Sequence, residues 1–271
     1  MPRGPKARLL ARLLDMEEGG GEEVLMARLV MAHDPMPGLL HAHGCRGGRV
    51  LVVGKSEDDA RGVAREWGLS DAVVLEDYIA ACPWIWPLQD DGRPILPDAL
   101  PRVDAICVVG TPRDWGQTLQ LCCDLLLNGG HLHRPAEPAA PPLLLVSNPD
   151  FDYRARPPLM RMTTGAWLHC LQALTARYGH ELQPIFTGKP HRPIYEHAMA
   201  LFPIMPDRVF CIGDNPASDI AGAKNFPHFR SILVLTGVAQ QDDPSIPADY
   251  VRRDISEAVQ LILAENAKST L

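Results

Sequence analysis

Short apolar runs alternate with helical patterns from residue 49 to the end of the chain. The run 51–53 predicts a strand that ends at Gly54, and apolar residues then recur at helical spacing up to Trp67. Further apolar runs predict strands at 72–75, 106–109, 143–146, 209–212 and 231–236. Helical periodicity predicts helices at 114–127, 163–178 and 194–201 and a closing helix from 255. This alternation predicts an α/β fold.

Composition limits the classes of protein that the chain can belong to. Hydrophobic residues make up 46% and charged residues 22% of 271 residues, which suits one or two domains with a real core. The net charge of −7 disfavours a broad nucleic-acid-binding surface. The apolar runs are shorter than the ~18 residues that span a bilayer. Seven cysteines without a CxxC pair predict reduced core thiols and a reducing compartment.

The first fourteen residues allow two interpretations. They carry Arg3, Lys6, Arg8 and Arg12, with no acid before Asp15, as in a mitochondrial targeting helix. The alternative is an exposed helix of a core domain that buries its leucines. We favour the second interpretation, because the stretch is short and contains no serine.

The stretch VFCIGDNPASDIAGA, residues 209–223, carries the clearest chemical signal. A buried strand is predicted to end at Gly213, so Asp214 would lie at its carboxyl end, where open α/β sheets bind ligands. Ser218 is a suitable N-cap for a helix that would place Asp219 in its first turn. Two carboxylates near one point suit Mg²⁺. The alternative is that acids merely favour loops and helix starts.

A second signal lies upstream, in the sequence TGKPHRPIYEHA. Lys189 stands between Gly188 and Pro190 at the predicted entry to a helix, where a fixed cation can attract a phosphate. Taken alone, the same pattern also fits a solvated lysine beside a helix-starting proline.

In this order and at this spacing, the two stretches resemble the third and fourth motifs of the haloacid dehalogenase superfamily of phosphohydrolases. Residues 103–130 and the sequence LLLVSNPDF at 143–151 are similar to the cap of class IIA members, most closely those of the cat eye syndrome critical region type. The resemblance implies a partial Rossmann-like core with an inserted α/β cap. The implied domains are 1–47, a remnant of the core and hinge; 48–160, the cap; and 161–271, the C-terminal half of the core.

The resemblance also implies roles for single residues. Lys189 would be the catalytic lysine that offsets phosphate charge, and Asp214 and Asp219 would hold Mg²⁺. Asn148, Asp150 and Asn215 would lie on the substrate side. The implied substrate is a small phosphorylated molecule, the implied location is the mitochondrion with the cytoplasm as alternative, and homo-oligomerisation stays open.

The superfamily's aspartate nucleophile is not found where the resemblance requires it. Residues 1–48 contain Asp15 and Asp34, neither in a strand–DxDG setting. Asp150 and Asp152 form a DxD pair, but Tyr153 follows where Gly-Thr or Gly-Val is needed. We therefore expect that the sequence begins just after the second motif and is incomplete, rather than a splice or gene-model fragment or a degenerate member.

Three functional hypotheses follow. The first is a Mg²⁺-dependent phosphomonoester hydrolase or a fragment of one, inactive as the chain stands. The second is a catalytically inactive pseudoenzyme that acts as a binding or scaffold protein. The third, a nucleotide-binding regulatory domain, rests on Gly54 alone, which falls short of GxGxxG. An upstream coding sequence with a strand and DxDG would favour the first hypothesis over the second.

Overall fold

The computed structural model describes residues 26, 28–82, 100–132, 139–154, 160–203 and 206–269. Both interpretations of residues 1–14 fall outside this part of the chain. The described residues divide into two compact units. Unit 1 runs up to Phe151 and resumes at Met162–Thr187, and unit 2 comprises Asp152–Arg161 and the chain from Gly188 onward. The prediction of cap and core boundaries stays a prediction.

The regular elements follow the predicted alternation of strands and helices. In chain order they are α1 (Met36–Ala42), β1 (Val50–Val53), α2 (Glu57–Glu66), β2 (Ala72–Val73), α3 (Leu75–Ala81), β3 (Ala105–Val108), α4 (Trp115–Leu127), β4 (Leu143–Val146), β5 (Asp152–Arg154), β6 (Met160–Met162), α5 (Thr164–Arg177), β7 (Ile185–Phe186), α6 (Arg192–Ala200), β8 (Val209–Gly213), a π-helical turn (Pro216–Ile220), α7 (Ala221–Ala223), β9 (Phe229–Val234), β10 (Tyr250–Arg252) and α8 (Ile255–Ser269).

The sheet of unit 1 has five parallel strands in the order β2-β1-β3-β4-β7. Parallel strands with helices between them confirm the predicted α/β class. β5 and β6 pair in a separate two-stranded sheet.

Local side-chain caps explain where several helices of unit 1 begin. Ser56 Oγ accepts a hydrogen bond from Asp59 N at 3.4 Å and caps α2. Asp114 Oδ1 accepts one from Gln117 N at 2.9 Å and caps α4. The predicted strand 72–75 ends at Val73, because Asp77 accepts from Val74 N at 2.9 Å and α3 begins at Leu75.

Strands β1 and β3 are buried at all four positions and β4 at three of four, which is why they consist of continuous apolar runs. Leu51 and Val53 of β1 pack into one hydrophobic cluster together with side chains of α3, α4 and α5. Val50 and Val52 pack into the other cluster, with side chains of α1 and α2. The sheet is therefore covered by helices on both sides.

In the predicted helix 163–178, Trp167, Leu171, Leu174 and Tyr178 recur at helical spacing, which predicts one buried face, and the structure buries only two of them. Trp167 and Leu171 are fully buried, as expected, but Leu174 and Tyr178 are 44% and 70% exposed. The buried stripe passes instead to Thr175, which is 0% exposed. The buried face therefore follows a spacing of four residues, from Trp167 through Leu171 to Thr175.

Unit 2 contains a three-stranded parallel sheet in the order β10-β9-β8. The prediction of a strand at 209–212 is confirmed, but the prediction that this strand is buried is wrong. All five residues of β8 are only partly buried. In the described part of the chain β8 pairs with β9 alone, so it is an edge strand. The central strand β9, by contrast, is buried at five of its six positions.

No helix among the residues that the structure describes is both long and apolar enough to cross a bilayer.

Candidate active site

The two predicted acids of unit 2 follow strand β8 in a short capped turn. Asn215, not Ser218, is the N-cap: its Oδ1 accepts a hydrogen bond from Ala217 N at 3.1 Å. Pro216 then occupies the first turn, where its missing N–H costs no hydrogen bond. The predicted Ser218 cap is wrong because the helical turn begins three residues earlier than Asp219. Asp219 nevertheless lies in the first turn, as predicted.

Asp219 is a nearly buried carboxylate with a partner for each of its oxygens. It is 7% exposed, its Oδ1 pairs with Lys189 Nζ, and its Oδ2 accepts from Asn215 N at 3.1 Å. A buried charge needs such compensation. The structure therefore brings together the lysine and the second acid, thirty residues apart in the chain.

The backbone around Lys189 is fixed by hydrogen bonds, whereas its side chain is half-exposed. His191 N donates to Gly188 O at 3.0 Å, and Asn225 Nδ2 donates to Pro190 O at 2.8 Å, which fixes the loop before α6. The Lys189 side chain is 51% exposed. The ammonium can therefore contact a ligand from solvent while it stays paired with Asp219.

Asp214 is oriented by the loop that follows β9. Val238 N donates to its Oδ2 at 2.7 Å, and Ala239 N donates to its backbone oxygen at 2.9 Å. The sequence interpretation gave residues 236–238 no part in the site. A glycine directly after an apolar strand, Gly237, was the one signal that could have indicated it.

Two glycines make room for the two carboxylates. A Cβ on Gly213 would lie 2.1 Å from Asp219 Cγ, and a Cβ on Gly237 would lie 1.8 Å from Asp214 Oδ2. Real Cβ atoms do not approach other atoms so closely. Gly213 is therefore needed both to end the strand and to let the Asp219 side chain lie close to the backbone of β8.

Cys211 lies on β8 near Asp219. Burial, followed by the charge of Asp219, raises the pKa of the Cys211 thiol to about 11. The thiol is therefore protonated near neutral pH and is a poor nucleophile.

The chemistry of the donors in unit 2 fits Mg²⁺ as a partial ligand set. Asp214 and Asp219 offer hard carboxylate oxygens, and Mg²⁺ in proteins is often held by one or two carboxylates, with waters and substrate phosphate completing its shell. Among the described residues there is no group of three or more metal-ligating side chains. Any Mg²⁺ here would therefore depend on ligands beyond these side chains.

The other predicted substrate residues lie in unit 1, at the carboxyl end of β4. Asn148 Oδ1 accepts from Asp150 N at 2.8 Å, and Asp150 O accepts from Gly165 N at 2.8 Å. Gly165 allows this contact, since its Cβ would lie 2.1 Å from Pro149 O. These two hydrogen bonds give the loop a defined shape. The substrate roles of Asn148, Asp150 and Asn215 stay predictions.

Comparison with known proteins relates the segment that contains these residues to a known family. A family model described as HAD-hydrolase-like matches residues 186–258, which include the lysine and both acids. The chain is 29% identical to a cardiolipin synthase (CMP-forming)/mitochondrial hydrolase fusion protein of Schizosaccharomyces pombe, over 80% of this chain and 40% of that protein. It is 27% identical to a mitochondrial hydrolase of Saccharomyces cerevisiae, over 90% of this chain and 80% of that protein. The chain thus spans less than half of the fusion protein.

Solved structures show the same fold. The p-nitrophenyl phosphatase from Archaeoglobus fulgidus superposes with a TM-score of 0.61 at 18% identity, over 96% of this chain and 82% of that one. The match over residues 186–258 confirms the predicted resemblance to the HAD-like hydrolase superfamily at that level, and the solved structure confirms the fold. The narrower cat eye syndrome type and the missing nucleophile motif stay predictions.

Proposed function

We propose that the chain supplies the phosphate- and magnesium-binding part of a phosphohydrolase that acts on small phosphomonoesters. The observation that carries this proposal is the pairing of Lys189 with Asp219 beside Asp214, within a segment that matches the HAD-like family model. A half-exposed ammonium that is paired with one carboxylate, with a second fixed carboxylate five residues earlier in the chain, suits a ligand that carries both phosphate and a divalent cation.

Each of the three side chains has a defined role in this proposal. Lys189 binds a phosphate oxygen and offsets its charge, while Asp219 holds the ammonium in place. Asp214 and Asp219 would hold Mg²⁺, which when bound neutralises phosphate charge. Val238 N keeps the Asp214 carboxylate oriented whether or not a ligand is present.

The names of the relatives suggest a cellular location for this protein. Two of them are named mitochondrial hydrolases, so we propose a mitochondrial location for this protein as well. Asn148, Asp150 and Asn215 are proposed as substrate-side residues.

The test is phosphate release from a panel of phosphomonoesters in the presence of Mg²⁺, with the chain as printed. We expect any turnover to be lost in Asp214→Ala and retained in Asp207→Ala, an exposed acid of the same unit. Circular dichroism checks that both variants fold. Turnover that persists in Asp214→Ala would refute the assignment of Asp214 as a Mg²⁺ ligand. Turnover that Asp214→Ala abolishes would make Asp150 and Asp152 the first candidates for the nucleophile.

A second candidate function is a catalytically inactive binding protein. One sequence observation favours it: the only DxD pair in the 271 residues, at Asp150 and Asp152, lacks the glycine that should follow it. No turnover in any variant, with phosphate binding that depends on Lys189, would support this candidate.

A further inference from the structure

The sheet of unit 1 contains a point where its strand order reverses. From β1 the chain passes through α2 to β2 on one side, whereas from β3 it passes through α4 to β4 on the other. Ala60 and Val63 of α2 pack with Val50 and Val52 on one face of the sheet. The side chains of α4 pack on the opposite face. The loops after β1 and β3 therefore diverge, and such a divergence leaves a crevice at the carboxyl ends of the strands, where open α/β sheets bind ligands.

A cavity of about 250 Å³ occupies this position. The loop after β1 lines it with Gly54, Lys55 and Ser56, and the loop after β3 lines it with Arg113 and Asp114. Sites for drug-sized ligands are typically ~300–1,000 Å³, so the cavity suits a smaller molecule. A Cβ on Gly54 would lie 3.1 Å from Ala60 N, so the glycine lets the first turn of α2 approach the end of β1.

Part of the cavity lining is suited to an anion. Lys55 and Arg113 are both exposed, and in the described part of the chain neither forms an ion pair. Two basic side chains that converge on one cavity from different strands can clamp a phosphate from two sides. The N-termini of α2 and α4 add partial positive charge at the same place.

Two of the three acidic side chains in the lining have partners of their own. Glu57 pairs with Arg61 Nε at 2.8 Å, and Asp114 is engaged as the cap of α4. Glu76 is left as a hydrogen-bond acceptor in the lining. Ligand hydroxyl groups can donate to such a carboxylate.

Another part of the cavity lining is apolar. It is formed by Val74, Leu75 and Ile79, from the end of β2 and from α3. We propose that this cavity is a second ligand site, which binds a small phosphate monoester: Lys55 and Arg113 bind the phosphate, Glu76 binds a hydroxyl group, and the apolar wall covers the carbon chain. The proposal does not depend on the chemistry proposed for unit 2.

The test is calorimetric titration of the full chain with glycerol 3-phosphate, with glycerol as the uncharged comparison. EDTA is present, so that Mg²⁺-dependent binding in unit 2 is suppressed. The double variant Lys55→Ala/Arg113→Ala removes the phosphate ligands, and Arg65→Ala, an exposed arginine of α2 outside the cavity, is the matched control. Lys189→Ala reports on binding in unit 2.

We expect glycerol 3-phosphate to bind and glycerol not to bind. The dissociation constant should rise at least tenfold in Lys55→Ala/Arg113→Ala and should stay unchanged in Arg65→Ala and Lys189→Ala. Three results would each overturn the proposal: no binding of glycerol 3-phosphate to the unmodified chain at millimolar concentration, unchanged affinity in the double variant, or loss of binding in Lys189→Ala. Because the exposed basic residues are not part of the core, the double variant should fold, and its circular dichroism spectrum verifies this.

Discussion

At the scale of single residues, the site of unit 2 depends on small residues as much as on charged ones. Gly213 and Gly237 each occupy the position where any larger side chain would collide with a carboxylate. Asp219 is nearly buried, so it has little room to move away from such a collision. The glycines therefore determine where the acids point.

Gly213→Ala should displace the Asp219 carboxylate and break its geometry with Lys189. We expect the affinity for Mg²⁺ in the presence of inorganic phosphate to fall at least tenfold, because a shift of about 1 Å can cost ~10²-fold at a site. Isothermal titration calorimetry measures this affinity. Gly38→Ala is the control, since a Cβ there meets nothing within 4 Å. Equal affinity in Gly213→Ala and the unmodified chain would contradict the placement of Mg²⁺ on Asp219.

At the scale of elements, helix α4 carries a costly charge near its C-terminal end. Burial raises the pKa of Asp124 to about 6, although Gln120 Nε2 donates to its Oδ1 at 2.9 Å and opposes the shift. A negative charge is also unfavourable at the negative end of the helix dipole. The helix forms in spite of this residue, because its buried apolar stripe, which includes Leu121 and Leu125, packs on the sheet.

The raised pKa of Asp124 makes stability depend on pH. The folded state binds the proton more tightly than the unfolded state, whose carboxyl titrates near ~3.9, so the free energy of unfolding should fall as pH rises from about 4 to above 6. Asp124→Asn removes this loss. We expect it to raise the free energy of unfolding by on the order of 2 kcal/mol at pH 7.5 and by almost nothing at pH 4.

Urea denaturation at the two pH values measures the effect. Asp207→Asn, at an exposed position, is the control and should leave the pH profile unchanged. An equal effect of Asp124→Asn at both pH values would show that the carboxyl does not titrate in this window.

At the scale of the whole molecule, each unit carries its own hydrophobic core. The core of unit 1 lies on both faces of its five-stranded sheet. The core of unit 2 consists of smaller clusters around β8 and β9 and their helices, with Phe226 and Phe229 stacked at a centroid distance of 4.7 Å. Separate cores favour separate unfolding transitions.

Ile106→Ala should therefore destabilise unit 1 selectively. Ile106 is 0% exposed in the central strand β3, so its truncation should cost about 2–5 kcal/mol. We expect differential scanning calorimetry to show two transitions, of which only one shifts to lower temperature. Ile255→Ala, at a 57% exposed position, should shift neither transition. A single transition that moves as a whole in Ile106→Ala would contradict the separation of the cores.

The sequence was sufficient where the signal is local. Strands buried on both faces must be continuously apolar, so β1, β3 and β4 were predicted to within one residue at each end. The spacing of Lys189, Asp214 and Asp219 likewise led to the superfamily. Caps were less predictable, because several polar residues compete in one loop, and Asn215 rather than Ser218 forms the hydrogen bond.

Only the tertiary structure could decide which distant groups meet. Nothing in the local pattern shows that Asp214 is held by Val238 N, or that Lys189 pairs with Asp219 across thirty residues. The exposure of β8 depends on its position at the edge of a sheet, which is a property of strand order. Sequence by itself therefore determined the elements and the residue types of the site, because these follow from periodicity and side-chain chemistry. The contacts that orient the site, and the cavity between β1 and β3, arise only when elements far apart in the chain pack together.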